Sequence, residues 1–130
     1  MKNYISDSVS RGSITYFLIR SNQTGKIVDL PTKYLKHKHN MHQSRKTIKK
    51  TALVLSWYLN YVEERGLTFE KVFTLSYSAQ QEHFVGFLHW IKAGRHTESF
   101  SSTDNNTANS YLRIVFGFYE FIIIEYENFP

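Results

Sequence analysis

The chain has 130 residues, of which 42% are hydrophobic and 16% aromatic, which is enough apolar material for one folded domain and excludes wholesale disorder. It contains no cysteine, which excludes disulfides, thiolate metal sites and cysteine nucleophiles and suits a reducing compartment. Its net charge of +5 is unevenly placed, because residues 1–62 carry eleven Lys and Arg against two acidic residues, whereas residues 63–130 carry five against nine.

The basic half of the chain indicates a polyanionic partner such as nucleic acid. Residues 30–62 contain no acidic side chain at all. A solvated basic face would give the same pattern, so charge alone leaves both interpretations open. Residues 1–11 are polar and do not resemble a signal peptide. The apolar stretch 111–126 is interrupted by charges and is shorter than the about 20 residues of a membrane span. We therefore expect a cytoplasmic protein with no membrane partner.

The N-terminal third predicts a flexible lead-in and then a β-hairpin. Residues 1–12 are expected to be the lead-in. Residues 13–20 and 26–29 are rich in β-branched and aromatic side chains and are joined by a polar loop that contains Gly25, which predicts a hairpin over residues 13–30. Pro31 can open a short helix that ends near Asn40.

The strongest helix pattern lies between Ser44 and Gly66. Ser44 is a suitable N-cap and Gly66 a suitable stop. Between them, apolar residues recur at three- and four-residue steps, namely Ile48, Ala52, Leu55, Leu59 and Val62. The first two turns carry four cations, Arg45, Lys46, Lys49 and Lys50. Because cations oppose the helix macrodipole at this end, we interpret them as contacts for an external anion.

Two further helices are predicted in the C-terminal half. Ser78 and Gln81 form a capping-box pattern, and Gly94 closes the helix that follows them. The last helix starts near Thr107 and is apolar nearly all round, so we expect it to be the most buried of the helices. Together these elements predict a mainly α fold, a small helical bundle over residues 31–127 preceded by the hairpin.

No catalytic, cofactor or metal site is predicted. The sequence contains no Gly-rich phosphate loop and no nucleophile motif with a partner base. His37, His39 and His42 are a poor match to zinc-ligand spacings, and the nearby Lys and Arg would repel a cation. We interpret them as solvated side chains on a basic surface, and we expect the other histidines, His83, His89 and His96, at the surface or its boundary.

Two helix starts are candidate phosphate sites, at residues 44–47 and 106–109. Each combines short polar side chains with free backbone N–H groups, which suits phosphate binding. Simple capping by Ser44 and Asn106 explains the same residues. The cations beside Ser44 favour phosphate contact at the first start. The aromatic residues that could stack on bases are expected in the core by default, namely Trp57, Tyr58, Tyr61 and Trp90.

Two segments resemble the SAM-like core-binding domain of tyrosine recombinases. The first is the helix that starts at Ser44, with Thr47 and Ile48 and later Leu55, Tyr58, Leu59 and Val62. The second runs from Thr107 through Asn109 and Leu112 to the cluster Phe118-Tyr119-Glu120-Phe121. The C-terminal residues 128–130 resemble the start of the linker to a catalytic domain, and the hairpin is similar to the lead-in of transposon-type members. The resemblance covers about residues 13–130.

The resemblance implies a DNA-binding role without catalysis in this chain. The family cuts and rejoins DNA through a phosphotyrosine, with catalytic residues in a C-terminal domain that would lie outside this sequence. The present part would clamp duplex DNA together with other recombinase protomers. The residues expected to contact DNA are Ser44, Arg45, Lys46, Thr47, Lys49, Lys50, Thr107, Asn109 and Arg113. Family members often have a basic residue at the position of Ser110, so contact from the last helix is expected to be weaker or shifted to Arg113.

Two other interpretations are open from the sequence. In the first, the chain is a helical protein–protein interaction module whose apolar last helix docks a partner while the basic segment only solubilises it. In the second, it is a stand-alone helix-turn-helix regulator, which is less favoured because the sequence shows no tight two-helix unit with a short Gly turn.

Overall fold

A computed structural model describes residues 3–97 and 101–125 of the chain. Strands β1 (Tyr4–Arg11) and β2 (Ile14–Ser21) form an antiparallel hairpin. Helices α1 (Asp29–Asn40) and α2 (Arg45–Glu64) follow it, and then a short 3-10 helix, Lys71–Thr74. Helices α3 (Tyr77–Lys92) and α4 (Asn105–Glu125) complete the fold. The predicted class, mainly α with an N-terminal hairpin, is confirmed.

The hairpin lies earlier in the chain than predicted. Residues 4–11, expected to be a flexible lead-in, form β1, which pairs with β2 from Tyr4↔Ser21 to Arg11↔Ile14. Gly12, at a φ of 61°, makes the tight turn. Of residues 26–29, predicted as the second strand, Ile27 contributes only the isolated bridge Arg20↔Ile27, and Asp29 already begins α1. The prediction missed β1 because that strand is mostly exposed and polar, so it has no apolar run to identify it.

Polar side chains from the helices hold both edges of the hairpin. On the β1 edge, Asn60 Oδ1 of α2 accepts from the backbone N–H groups of Asn3 at 3.0 Å and Tyr4 at 2.9 Å. Its Nδ2 donates to the carbonyl of Tyr4 at 3.0 Å. On the β2 edge, the Ile19 N–H donates to Thr32 Oγ1 of α1 at 3.1 Å. An isolated hairpin is marginal in water, and these bonds fix it on α1 and α2.

The helix ends follow local capping chemistry, with one correction. Ser44 caps α2 as predicted, and Gly66 follows its end at a φ of 71°. The N-cap of α3 is Ser76 and not Ser78, because the Ser76 hydroxyl accepts from the Ala79 N–H at 3.2 Å. Ser78 lies in the first turn of α3, so Ser78 and Gln81 do not form the predicted capping box.

The most buried helix is α2 and not α4 as predicted. Ten residues of α2 are buried, against five of α4. Helix α2 packs against the hairpin, α1, α3 and α4, whereas α4 leaves Phe116, Ile123 and Ile124 45%, 56% and 67% exposed. Among the residues that the structure describes, no helix combines the length and the apolar content of a membrane span.

Two helical glycines allow tyrosine side chains to approach the backbone closely. A Cβ atom at Gly86 of α3 would collide with the Tyr61 hydroxyl, and one at Gly117 of α4 would collide with the Tyr34 hydroxyl. Glycine at these positions costs about 1 kcal/mol of helix propensity relative to alanine. The close packing of α2 on α3 and of α1 on α4 depends on this absence of side chains.

A buried chain of hydroxyl groups connects α2, α3, α4 and the segment before the 3-10 helix. The Tyr119 hydroxyl donates to the carbonyl of Phe69 at 2.9 Å. Because its proton is used there, its oxygen accepts from the Tyr58 hydroxyl at 2.6 Å. The Tyr58 oxygen in turn accepts from His83 Nε2 at 2.8 Å. The carbonyl can only accept, so it fixes the direction of each proton and places the imidazole proton on Nε2.

His83, at the end of this chain of hydroxyls, is buried in the interior. It was expected at the surface, but it is only 1% exposed, and His96, with 6%, is buried as well. Burial, assisted by the charge of Arg65, lowers the pKa of His83 from its usual value of 6.5 to about 4. Its Nδ1 has no hydrogen-bond partner among residues 3–97 and 101–125. The imidazole is therefore neutral at pH 7.

Replacing Asn60 with alanine should detach the start of the hairpin. The variant loses three hydrogen bonds to the backbone of Asn3 and Tyr4, so we expect the free energy of unfolding to fall by about 2–3 kcal/mol. Urea denaturation followed by circular dichroism measures this change. Asn40→Ala, at the exposed end of α1, is the matched control and should change stability by less than about 0.5 kcal/mol. Equal effects of the two substitutions would contradict the proposed role of Asn60.

His83 should make the protein less stable in mild acid. The unfolded chain takes up a proton near pH 6.5 and the folded protein only near pH 4, so stability is lost as the pH falls through this interval. In His83→Gln this contribution disappears, and we expect the loss between pH 7 and pH 4.5 to be about 2 kcal/mol smaller than in the natural chain. Urea denaturation at both pH values measures it. A loss as large in His83→Gln as in the natural chain would refute the assignment.

Candidate nucleic-acid interface

The first turns of α2 present an exposed basic face, which we define as Arg45, Lys46, Lys49 and Lys50. All four side chains are exposed. The first acidic residue of α2 is Glu63, near its other end. Within residues 3–97 and 101–125, none of the four forms an ion pair. The basic face is therefore free to neutralise an external anion.

Ser44 and Thr47 form the cap of α2. The Ser44 hydroxyl accepts from the Thr47 N–H at 3.1 Å and lies 2.9 Å from Thr47 Oγ1, to which it donates. The Ser44 hydroxyl thus both donates and accepts a hydrogen bond within the protein, which favours the capping interpretation for this residue. The exposed Thr47 hydroxyl keeps a proton that it can donate outward.

At the start of α4, the capping group is Asp104 and not Asn106, as had been considered. The Asp104 carboxylate accepts from the Thr107 N–H at 2.8 Å. This backbone hydrogen bond lowers the pKa of Asp104, so the group is charged at neutral pH. A carboxylate in this position occupies the N–H group that a phosphate would use and repels the phosphate. The structure therefore favours capping over phosphate binding at the start of α4.

The predicted contact residues of α4 do not all lie beside the basic face. Asn109 and Arg113 are exposed and stand one turn apart on the side of α4 opposite its buried residues. Thr107 lies one turn before Tyr111 on the same side of the helix. Tyr111, which was not predicted as a contact residue, is the part of α4 that meets the basic face, because Lys50 Nζ lies 5.7 Å from the centre of its ring.

Trp57 and Tyr111 form the walls of a small depression next to the basic face, which we call the aromatic notch. Their ring centres are 5.4 Å apart and the rings meet edge to face. The notch has a volume of about 250 Å³. Its lining residues are Lys46, Lys49, Lys50, Leu53, Val54, Trp57 and Tyr111.

The aromatic residues considered for base stacking divide between the core and this notch. Tyr58, Tyr61 and Trp90 are buried, as expected, whereas Trp57 is half-buried. Trp57 follows Lys46, Lys50 and Leu53 at intervals of eleven, seven and four residues, so helical periodicity alone places it on the same face. The contribution of Tyr111 comes from another helix and has no comparable signal in the sequence.

The histidines near the basic segment contact separate aromatic rings. His37 packs on Phe121 with ring centres 5.0 Å apart, and His39 packs on Tyr16 at 4.8 Å. His42 follows α1 with a φ of 59°. Among the described residues, no three His, Asp or Glu side chains converge as metal ligands.

Comparison of the chain with protein-family models, curated proteins and solved structures found no match. The resemblance to recombinase core-binding domains is therefore a prediction from the sequence.

The role of Ser44 can be separated from phosphate binding by two substitutions. Ser44→Ala removes the cap and should lower the free energy of unfolding by about 1 kcal/mol. Ser44→Asp provides another good capping group, with a charge that suits this helix end, and should retain the stability of the natural chain. Thermal and urea denaturation of the three proteins measure the difference. An aspartate variant as unstable as the alanine variant would show that capping is not the role of this hydroxyl.

Proposed function

We propose that this protein binds duplex DNA through the basic face of α2. The observation that carries the proposal is the group of four exposed cations at the start of α2, none of which forms an ion pair within residues 3–97 and 101–125. A fixed group of cations can neutralise neighbouring phosphates and release their counterions, which supplies most of the affinity of proteins for DNA. The proposed binding is therefore tolerant of sequence.

The N-terminal end of α2 suits this role geometrically. A helix that enters the major groove by its first turns brings its N-terminal side chains to the base edges. Arg45 and Thr47 are exposed there and can add contacts to bases or phosphates, while Lys49 and Lys50 follow one turn later. Phosphate contacts position the protein, and a small number of base contacts would give it a modest sequence preference.

The resemblance to core-binding domains supports a more specific role in DNA recombination and integration. In this role the chain is the non-catalytic part of a tyrosine recombinase from a mobile element, and it works in the cytoplasm. It clamps one side of the duplex while a catalytic domain outside this sequence closes the other side. Other protomers bound to the same DNA are then its protein partners. Asp104 directs the DNA contact toward α2 and away from the start of α4.

A second candidate function is a protein–protein interaction module, which an exposed apolar groove between α3 and α4 favours. Phe84, Leu88 and Leu112 line this groove together with Val85 and Phe116, which are 49% and 45% exposed. Exposed apolar surface of this kind often marks a site of association. A stable complex with a protein, formed by a chain with no affinity for DNA, would support this function instead.

Charge reversal on the basic face tests the DNA-binding proposal. We expect Lys49→Glu/Lys50→Glu to weaken binding to a labelled random duplex by more than about tenfold at 50 mM salt and to lower the slope of log K against log salt by about 2, since each phosphate contact contributes about 0.9 to that slope. Fluorescence anisotropy between about 50 and 200 mM salt measures both quantities.

The matched control is Lys26→Glu/Lys71→Glu, which makes the same change of net charge at two exposed positions outside the basic face. It should bind much more tightly than the Lys49/Lys50 variant. Equal weakening by the two double variants would mean that net charge acts without a defined interface. If the natural chain fails to bind duplex DNA even at about 50 mM salt, the proposed function is wrong.

A further inference from the structure

We propose that the aromatic notch binds a single unstacked nucleobase, so that the protein binds DNA with an unpaired or single-stranded nucleotide more tightly than a perfect duplex. This inference deepens the proposed function, since it uses the lysines of the basic face for the adjoining phosphate. It assigns base stacking to Trp57 and Tyr111, in addition to the phosphate binding that the cations of the basic face would provide.

The rings of Trp57, His96 and Tyr111 are packed together. Trp57 is half-buried and is supported by His96, with ring centres 4.5 Å apart in an edge-to-face contact. His96 is 6% exposed, so the support is part of the packed interior. Tyr111 makes a second edge-to-face contact with Trp57, with ring centres 5.4 Å apart. Two rings fixed at an angle form a rigid corner in which a third flat ring can stack on one and touch the other.

The surroundings of this corner are positively charged. Lys46, Lys49 and Lys50 line the notch, and none of the described residues that line it is acidic. A nucleobase is attached to a phosphate through its sugar, so a site for it needs cations next to an apolar ring, as sites for single-stranded nucleic acid have. Lys50 Nζ lies over the Tyr111 ring at 5.7 Å and can move to a phosphate oxygen when a base takes the ring face.

The notch has the size of a single aromatic ring system. The notch of about 250 Å³ is smaller than the sites of about 300–1,000 Å³ that enclose drug-sized ligands. It therefore suits one flat ring. Leu53, which is 40% exposed, and the buried Val54 supply an apolar floor for that ring. In a perfect duplex each base is stacked between its neighbours and cannot enter, which is why the notch should distinguish DNA structures.

The experiment uses the emission of Trp57 as a direct report on the notch. The full chain is titrated with three probes: an oligothymidine of about 12 nucleotides, a perfect duplex, and the same duplex with one bulged thymidine. We expect the oligothymidine and the bulged duplex to quench the emission, because a base stacks on the indole. The perfect duplex should bind by anisotropy with little quenching. Trp57→Phe should remove the quenching, since Trp90 is 6% exposed and lies outside the notch.

A substitution on the second wall tests whether stacking contributes to affinity. We expect Tyr111→Leu, which keeps an apolar side chain, to weaken binding to the oligothymidine and the bulged duplex by about tenfold. Its effect on the perfect duplex should be much smaller. Tyr77→Leu removes a tyrosine ring that is 77% exposed on α3 and should leave all three affinities unchanged. Circular dichroism of each variant confirms that it is folded.

The outcomes separate this inference from the proposed function. Tight duplex binding with no preference for the bulge and no quenching by oligothymidine would overturn the notch and leave the duplex interface intact. Quenching and binding by oligothymidine, without binding to the perfect duplex, would support the notch and overturn the duplex proposal. Equal weakening of all three probes by Tyr111→Leu would also overturn the inference, since the ring would then act on phosphate binding or on folding. No binding to any probe would overturn both proposals.

Discussion

The buried hydrogen-bond chain through Tyr58 is the constraint on which the rest of the structure depends. It joins side chains of α2, α3 and α4 to a carbonyl of the connecting segment, and each of its protons has one possible direction. A buried polar network of this kind is stabilising only when its members keep their partners, so the helices can pack in few other ways. The registry of α2 against α4 that results is what brings Lys50 over Tyr111.

The basic face exists because the core of α2 can support it. Each cation near the start of a helix opposes the macrodipole at a cost of about 0.3–1 kcal/mol. Burial of a large apolar side chain contributes about 1.5–3 kcal/mol, and α2 buries Ile48, Leu55 and Leu59 on the side away from the lysines. The packing therefore outweighs the unfavourable charges by a wide margin. The helix can carry a cluster of cations that would destabilise an isolated peptide.

The sequence predicted those parts of the fold that have a strong local signal. The prediction of a helix between Ser44 and Gly66 was correct because the apolar periodicity and the signals at both helix ends agree. Strand β1 was missed because it is an exposed polar strand, and its pairing depends on β2 and on Asn60 from a distant helix. The predicted cap of α4 was wrong by two residues because several neighbouring polar residues could act as the N-cap. Only the backbone position at which the helix starts selects one of them. The basic face was predicted from its residues alone, whereas the aromatic notch requires a contact between two helices.

The close approach of two tyrosine hydroxyls to helical glycines restricts how this sequence can diverge. Alanine would ordinarily be the better helix former at residues 86 and 117, yet the oxygen of Tyr61 or Tyr34 occupies the space that its methyl group would need. Replacing Tyr34 with phenylalanine removes that oxygen and opens the space above residue 117. The two residues of each pair are thus coupled by volume. In related sequences, a larger residue in place of Gly117 should occur together with a smaller residue in place of Tyr34, and the same should hold for Gly86 and Tyr61. Such paired exchanges would reveal the packing of these helices to a reader who has only an alignment.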